Sequence, residues 1–167
     1  LAPANRHSVV NGEAFEASGF HITPFGVPHD SSDNVGYSIE YEGVVFTLLT
    51  DVGHITEEMK AIIRNTDYLV IEANYDLQML QNGPYPRHLQ ERIQCGTGHL
   101  SNAQCGAALV ENYTERLKHI WLCHLSEENN HPELARKSIE QALSDAGIKV
   151  KLDVLRRKQP TGVFELV

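Results

Sequence analysis

Three apolar runs in the sequence each end on a side chain that can bind a metal ion or move a proton: "VVFTLLTD" at Asp51, "YLVIEAN" at Glu72 and "HIWLCH" at His124. Two more candidates lie in polar segments, His29 in "PFGVPHDSSDNVGY" and His99 in "GTGHLSN". Neutral imidazoles and a carboxylate, spread along the chain but fixed at the ends of stiff elements, are what a catalytic metal centre needs. It requires firm N and O donors with coordination positions left open for water. Each residue also has a plainer explanation. A single histidine at a strand end more often makes a structural hydrogen bond. Asp51, just before Val52 and Gly53, suits an Asx turn, Glu72 suits a solvated strand end, and Ser101 or Asn102 caps a helix whatever else it does. The remaining histidines, His7, His21, His54, His88, His119 and His131, show no partner pattern. The sequence has no Gly-rich phosphate loop and no GxSxG elbow, which leaves P-loop and serine-hydrolase chemistry without support.

The elements that must carry these groups alternate between strand and helix. "FEASGFHITPFGV" alternates apolar and polar around Gly19, and "GYSIEYEGVVFTLLTD" predicts two strands hinged at Glu42-Gly43. A helix starts at the N-cap candidate Thr56, with Glu57 and Glu58 in its first turn, and "DYLVIEAN" follows as a strand. After the "QNGPYP" interruption come helical segments near 86–94 and 102–113, then the strand "HIWLCHL", a helix from Pro132 to a stop at Gly147, and closing strands "KVKLDVL" and "GVFELV". The order predicts an α/β fold with helices packed on a sheet. Residues 1–167 form one domain or part of one, with 41% hydrophobic residues for a core. In such folds strand ends line the ligand crevice, so Asp51, Glu72 and His124 are expected to converge there.

Composition narrows the function classes. Fourteen basic against 22 acidic residues give a net charge of −8, which argues against a large basic nucleic-acid footprint but not against a nuclease whose metal ions meet the phosphate. The three cysteines, Cys95, Cys105 and Cys123, form no CxxC pair and suit reduced, mostly buried thiols. With no apolar run long enough for a bilayer and no signal-peptide pattern, a soluble cytoplasmic protein is expected.

Taken in order, "PHDSSDNVGY", "TDVG", "EANYD", "GHLSN" and "LCHLSEENNHPELA" resemble the second half of metallo-β-lactamase fold hydrolases, in particular their YycJ/WalJ-like subgroup. The resemblance covers about residues 20–167. It implies the C-terminal half of an αββα sandwich that holds two divalent metal ions, Zn or Mn. It further implies His29 as a ligand of one metal, Asp51 as the bridge between both, His124 as a ligand of the second, and His99 as the histidine that reaches a scissile phosphate. The family's HxHxDH motif is absent from these 167 residues, so the chain is expected to be a C-terminal portion whose partner is the missing N-terminal half. Tyr75 stands in "EANYD" where the subgroup leads one to expect histidine.

The activity that the resemblance implies is two-metal phosphodiester hydrolysis by a bridging hydroxide, with Asp51 and His99 as catalytic residues and nucleic acid or another phosphodiester as substrate. Two rival readings use the same sequence. One is a metal-dependent hydrolase of a lactone, thioester or lactam, which needs His29, Asp51 and His124 but no phosphate-facing His99. The other is a non-catalytic interaction module.

Overall fold

Two tight turns build the first half of the sheet. Ser18 and Gly19 (φ 52° and 86°) join β1 (Phe15–Ala17) to β2 (Phe20–Gly26), and Glu42 and Gly43 (φ 49° and 82°) join β3 (Val35–Tyr41) to β4 (Val44–Leu49). Positive φ at both central residues gives the turn the right-handed twist of the strands it connects. These features come from the computed structural model, which describes residues 8–166; His7 lies outside them.

The remaining strands are β5 (Tyr68–Glu72), β6 (His119–Cys123) and β7 (Lys151–Val154). They complete a seven-stranded sheet in sequential order, β1 to β7. The pairs up to β3·β4 are antiparallel, and β4·β5, β5·β6 and β6·β7 are parallel. Two antiparallel steps make β2 run in the same direction as β4. The C-terminal ends of β2, β4, β5 and β6 therefore open at one edge of the sheet, the edge that carries His29, Asp51, Glu72 and His124.

Helices supply the parallel crossovers. α1 (Glu57–Arg64) follows β4, with the Thr56 side chain accepting from the Met59 amide and Glu57 and Glu58 in the first turn. α2 (Leu77–Asn82), α3 (Arg87–Gln94) and α4 (Asn102–Asn112) lie between β5 and β6. α4 opens with a reciprocal capping box between Ser101 and Gln104. α5 (Pro132–Asp145) starts with Pro at N1 behind the N-cap His131 and ends before Gly147, whose φ of 71° closes the helix.

The strands deliver alternate residues to two faces. Leu69, Ile71, Ile120 and Leu122 pack with Met59 and Ile63 of α1, Leu109 of α4 and Ile139 of α5 in the main core. Tyr68, Val70, Trp121 and Cys123 form a second cluster on the opposite face, with Phe46 and Leu48 beside them. Phe25 is fully buried in the main core.

One element has no counterpart in the sequence reading and one expectation fails. α2 lies between the strand "DYLVIEAN" and the Gly-Pro interruption, where no element was assigned; its signal is Asp76, whose side chain accepts from the Met79 amide. "GVFELV" forms no strand over its described residues. The tail crosses the second face instead of extending the sheet, and Phe164 packs edge-on against His119 and Trp121 at ring distances of 5.7 and 5.0 Å. No helix among the described residues is long and apolar enough to cross a membrane.

Candidate metal centre

His124 follows β6 directly and Asp51 follows β4 after Thr50, and each sits in the left-handed backbone region, with φ 53° and 58° respectively. For a histidine this conformation is uncommon and persists only where the surroundings hold it. Here they do. The Asn74 amide donates to the His124 carbonyl (2.8 Å) and Asn34 donates to the Asp51 carbonyl (2.9 Å). Asn74 is followed by a buried amide network in which Asn130 donates to the carbonyls of Ala73 and Asn74 and exchanges hydrogen bonds with Asn102. The sharp turns aim both side chains back over the sheet edge.

There the candidate groups meet. Asp51 Oδ1 lies 3.7 Å from His29 Nε2 and 3.6 Å from His124 Nδ1. The rings of His29 and His99 are 4.9 Å apart and those of His99 and His124 are 5.3 Å apart. The Asp51 carboxylate therefore faces imidazoles and not a neighbouring amide, so its side chain is not an Asx-turn closure. His29 donates Nδ1–H to the Gly98 carbonyl at 3.0 Å, which fixes its tautomer and turns Nε2 toward Asp51, the arrangement of a metal-binding imidazole.

Glu72, expected as a solvated strand end, is instead fully buried at the centre of the site. Its Oε1 accepts from His99 Nδ1 (2.9 Å) and the Leu100 amide (3.2 Å), and its Oε2 accepts from His124 Nδ1 (3.2 Å) and the Val52 amide (3.0 Å). The sequence could not reveal this, because His99 and His124 lie 27 and 52 residues away. Burial pushes the Glu72 carboxyl up, but the hydrogen bonds and charge of His124 and His99 outweigh it and hold it below the usual carboxylate value. The same bond to Glu72 raises His124 above the usual histidine value despite its burial.

Asp51, Glu72, His99 and His124 each present a donor atom, all within 4.8 Å of one another. Nitrogen and carboxylate oxygen donors of this kind suit Zn or Mn, so the residues fit a divalent ion. All four hydrogen bonds to Glu72 come from donors that hold it in place. With both oxygens engaged, Glu72 orients the imidazoles of His99 and His124.

Of the other histidines, His21 pairs with exposed Glu16, His54 bonds the Gly96 carbonyl, and His119 is buried against Asp153, while His131 caps α5 and also lines the cleft in front of the site. His88 is exposed on α3. Tyr75 is buried, with its hydroxyl against Ser101 and its pKa raised by burial; it supports the fold beside the site. Cys105 and Cys123 are buried and free, burial pushing the Cys123 thiol up to about 12, while Cys95 is exposed.

The segment 95–98 that leads to His99 is pinned closely. Its Gly98 carbonyl holds His29, its Gly96 carbonyl accepts from His54 at 2.7 Å, and a Cβ placed on Gly53 would overlap the Gly96 carbonyl. The cleft in front of the site has a volume of about 1020 Å³ and is bounded by His29, His99 and His124, one side of α3, and Arg156 and Arg157.

Comparison with known proteins gives a consistent result. Residues 2–120 match the family described as Beta-lactamase superfamily domain. The chain is 34% identical over 139 residues to a protein of Bacillus anthracis named exodeoxyribonuclease YycJ, covering 83% of this chain and 53% of that protein. It is 35% identical over 150 residues to exodeoxyribonuclease WalJ of Streptococcus pneumoniae, covering 90% of this chain and 56% of that protein. The chain thus spans about half the length of these curated relatives. Among solved structures, the metallo-beta-lactamase fold protein YhfI from Bacillus subtilis superposes with a TM-score of 0.65 at 16% identity, covering 90% of this chain and 52% of that one. Zn(2+)-bound PqqB from Methylobacterium extorquens gives 0.62 at 21% identity, covering 92% and 53%. At these identities the two structures speak for the fold.

Proposed function

This chain belongs to the beta-lactamase superfamily, and from that premise we propose that it forms the C-terminal part of a two-metal phosphodiesterase that acts on DNA. The observation that carries the reading is the convergence of His29, Asp51, His99 and His124 on one sheet edge, with Glu72 buried beneath them. The names of the two relatives favour a nucleic-acid substrate over a lactone, thioester or lactam.

In this reading His29 Nε2, the His124 imidazole and the Asp51 carboxylate would hold the metal ions. Divalent ions held there would lower the pKa of water to provide a nucleophile near neutral pH and would neutralise charge on the phosphoryl oxygens. The protein's own work is to keep the donors in place before substrate arrives. Glu72 fixes the ring planes of His99 and His124, and the Gly98 carbonyl fixes that of His29. His99 is held on Nδ1 and stands just ahead of the α4 N-terminus, where backbone amides favour negative charge. From there its other nitrogen steadies a nonbridging oxygen or gives a proton to the departing oxygen.

In the complete protein His99→Ala is therefore expected to retain metal while turnover falls by about 10² to 10⁴, the usual contribution of a general acid or base. Metal analysis beside hydrolysis of a labelled oligonucleotide tests this. Unchanged hydrolysis would instead favour the substrate classes that need no phosphate-facing histidine.

We also propose that the remaining ligands come from a segment that carries the HxHxDH motif. Three ligands shared between two ions leave each site short of protein donors. Titration of the 167-residue chain with Zn²⁺ should accordingly show weak binding, tightening when a segment with that motif is co-expressed. Two tightly bound ions per chain on its own would sink this part of the proposal.

A further inference from the structure

α3 is amphipathic, yet none of its eight residues is buried. Such a helix normally turns its apolar side into the core. Leu89 and Ile93, four residues apart and so on one side of α3, are only half-buried and line the cleft that holds His29, His99 and His124, together with Tyr85 and Arg92. At about 1020 Å³ the cleft is at the upper end of ligand-site volumes, well beyond the needs of a single phosphate.

We propose that this side of α3, Leu89 and Ile93 with Tyr85 at one end and Arg92 beside them, is the platform on which the terminal bases of a DNA strand rest while the adjoining phosphate reaches the histidines; the inference rests on the phosphodiesterase reading above. Charge alone cannot supply the affinity. Asp30 is paired with Arg92, and Glu127 with Arg157 and Lys158, so the rim carries both signs. Aromatic side chains that stack bases fill that role in proteins that bind single strands without reading sequence; here Leu89 and Ile93 would meet the base faces beside Tyr85. Asp30 engages only the Nε of Arg92, and a guanidinium has four further N–H donors with which to meet a phosphate.

The platform is also registered to the chemistry. The Ile93 carbonyl accepts from the His99 amide at 2.9 Å, and the Gly98 carbonyl accepts from His29. A base seated against Ile93 is thus placed relative to both imidazoles through fewer than six residues of backbone.

The test compares two single-stranded dodecadeoxynucleotides of phosphorothioate linkage with an internal fluorescein, one complete and one abasic at both termini. Binding to the complete metal-loaded enzyme is followed by anisotropy for the wild type and for Leu89→Ala/Ile93→Ala. Wild type should bind the complete strand on the order of ten-fold more tightly than the abasic one, as a stacked base contributes, and the double variant should lose that preference. Circular dichroism verifies the fold of the variant, which changes no residue buried within this chain. If side-chain removal and base removal weaken binding independently, so that their effects multiply, α3 is not the platform. If the wild type neither binds nor cleaves any oligonucleotide, the phosphodiesterase reading itself falls. A labelled strand that is bound and cleaved with no preference for terminal bases overturns the platform alone.

Discussion

Asp51→Ala in the complete protein is expected to remove metal and hydrolysis together. Its carboxylate stands between His29 and His124 at 3.7 and 3.6 Å, and the two acidic side chains beside these histidines are already engaged: Glu72 accepts four hydrogen bonds, and Asp30 is held by Arg92. The loss of metal affinity should exceed the about 10- to 100-fold that follows removal of an outer partner. Because Asp51 is about one-third exposed and its backbone is held through its carbonyl, the fold should survive. Metal content by mass spectrometry, oligonucleotide hydrolysis and thermal unfolding on one preparation check all three statements. A variant that keeps its metal but loses turnover would move Asp51 from ligand to proton carrier.

The second large effect is expected at Glu72. Glu72→Gln keeps the volume but sets an amide donor against at least one of the donors that now point at the carboxylate. Breaking a buried ionic network by removing one partner typically costs about 3–5 kcal/mol, so the metal-free variant should unfold at much lower urea. The pH dependence has a definite sign. Glu72 is held below its ordinary value of 4.5, so its contribution is complete above that pH and is lost as pH falls through the lower folded-state value. His124 is raised above 6.5, so its contribution is complete below that pH and is lost as pH rises through the higher value. The advantage of metal-free wild type over Glu72→Gln should accordingly be greatest between about 4.5 and 6.5. Urea titrations over a pH series measure it, and a difference that does not vary with pH would mean that the imidazoles contribute nothing to the effect.

The contrast between Asp51 and Glu72 shows what the sequence could disclose. Asp51 and His124 were legible because each ends a short apolar run, and a strand end in a parallel sheet has a known destination. His29 was legible only through its motif, since nothing local says that two antiparallel steps return β2 to the same edge. Glu72 looked the same as Asp51 in sequence. What separates them is that Glu72 is the last residue of β5, flanked in the sheet by β4 and β6, and accepts from amides at 52 and 100. Those are long-range contacts with no local signature. The "GVFELV" tail fails in the opposite sense: its composition suits a strand, but Phe164 packs against the Trp121 and His119 rings and the tail lies across the face of the sheet.

The pinning of residues 95–98 sets where the length of this chain can change. A residue inserted there would displace His99 by up to about 3.5 Å, enough to part it from Glu72, and the close approach of Gly53 to Gly96 leaves no slack to absorb it. The other end of α3 differs, for Pro84 and Pro86 are exposed. Longer or shorter connections before α3 could thus slide or replace the outer wall of the cleft while His99 stays where it is. Grafting new recognition segments onto this scaffold should succeed from the residue-84 side and fail from the residue-97 side.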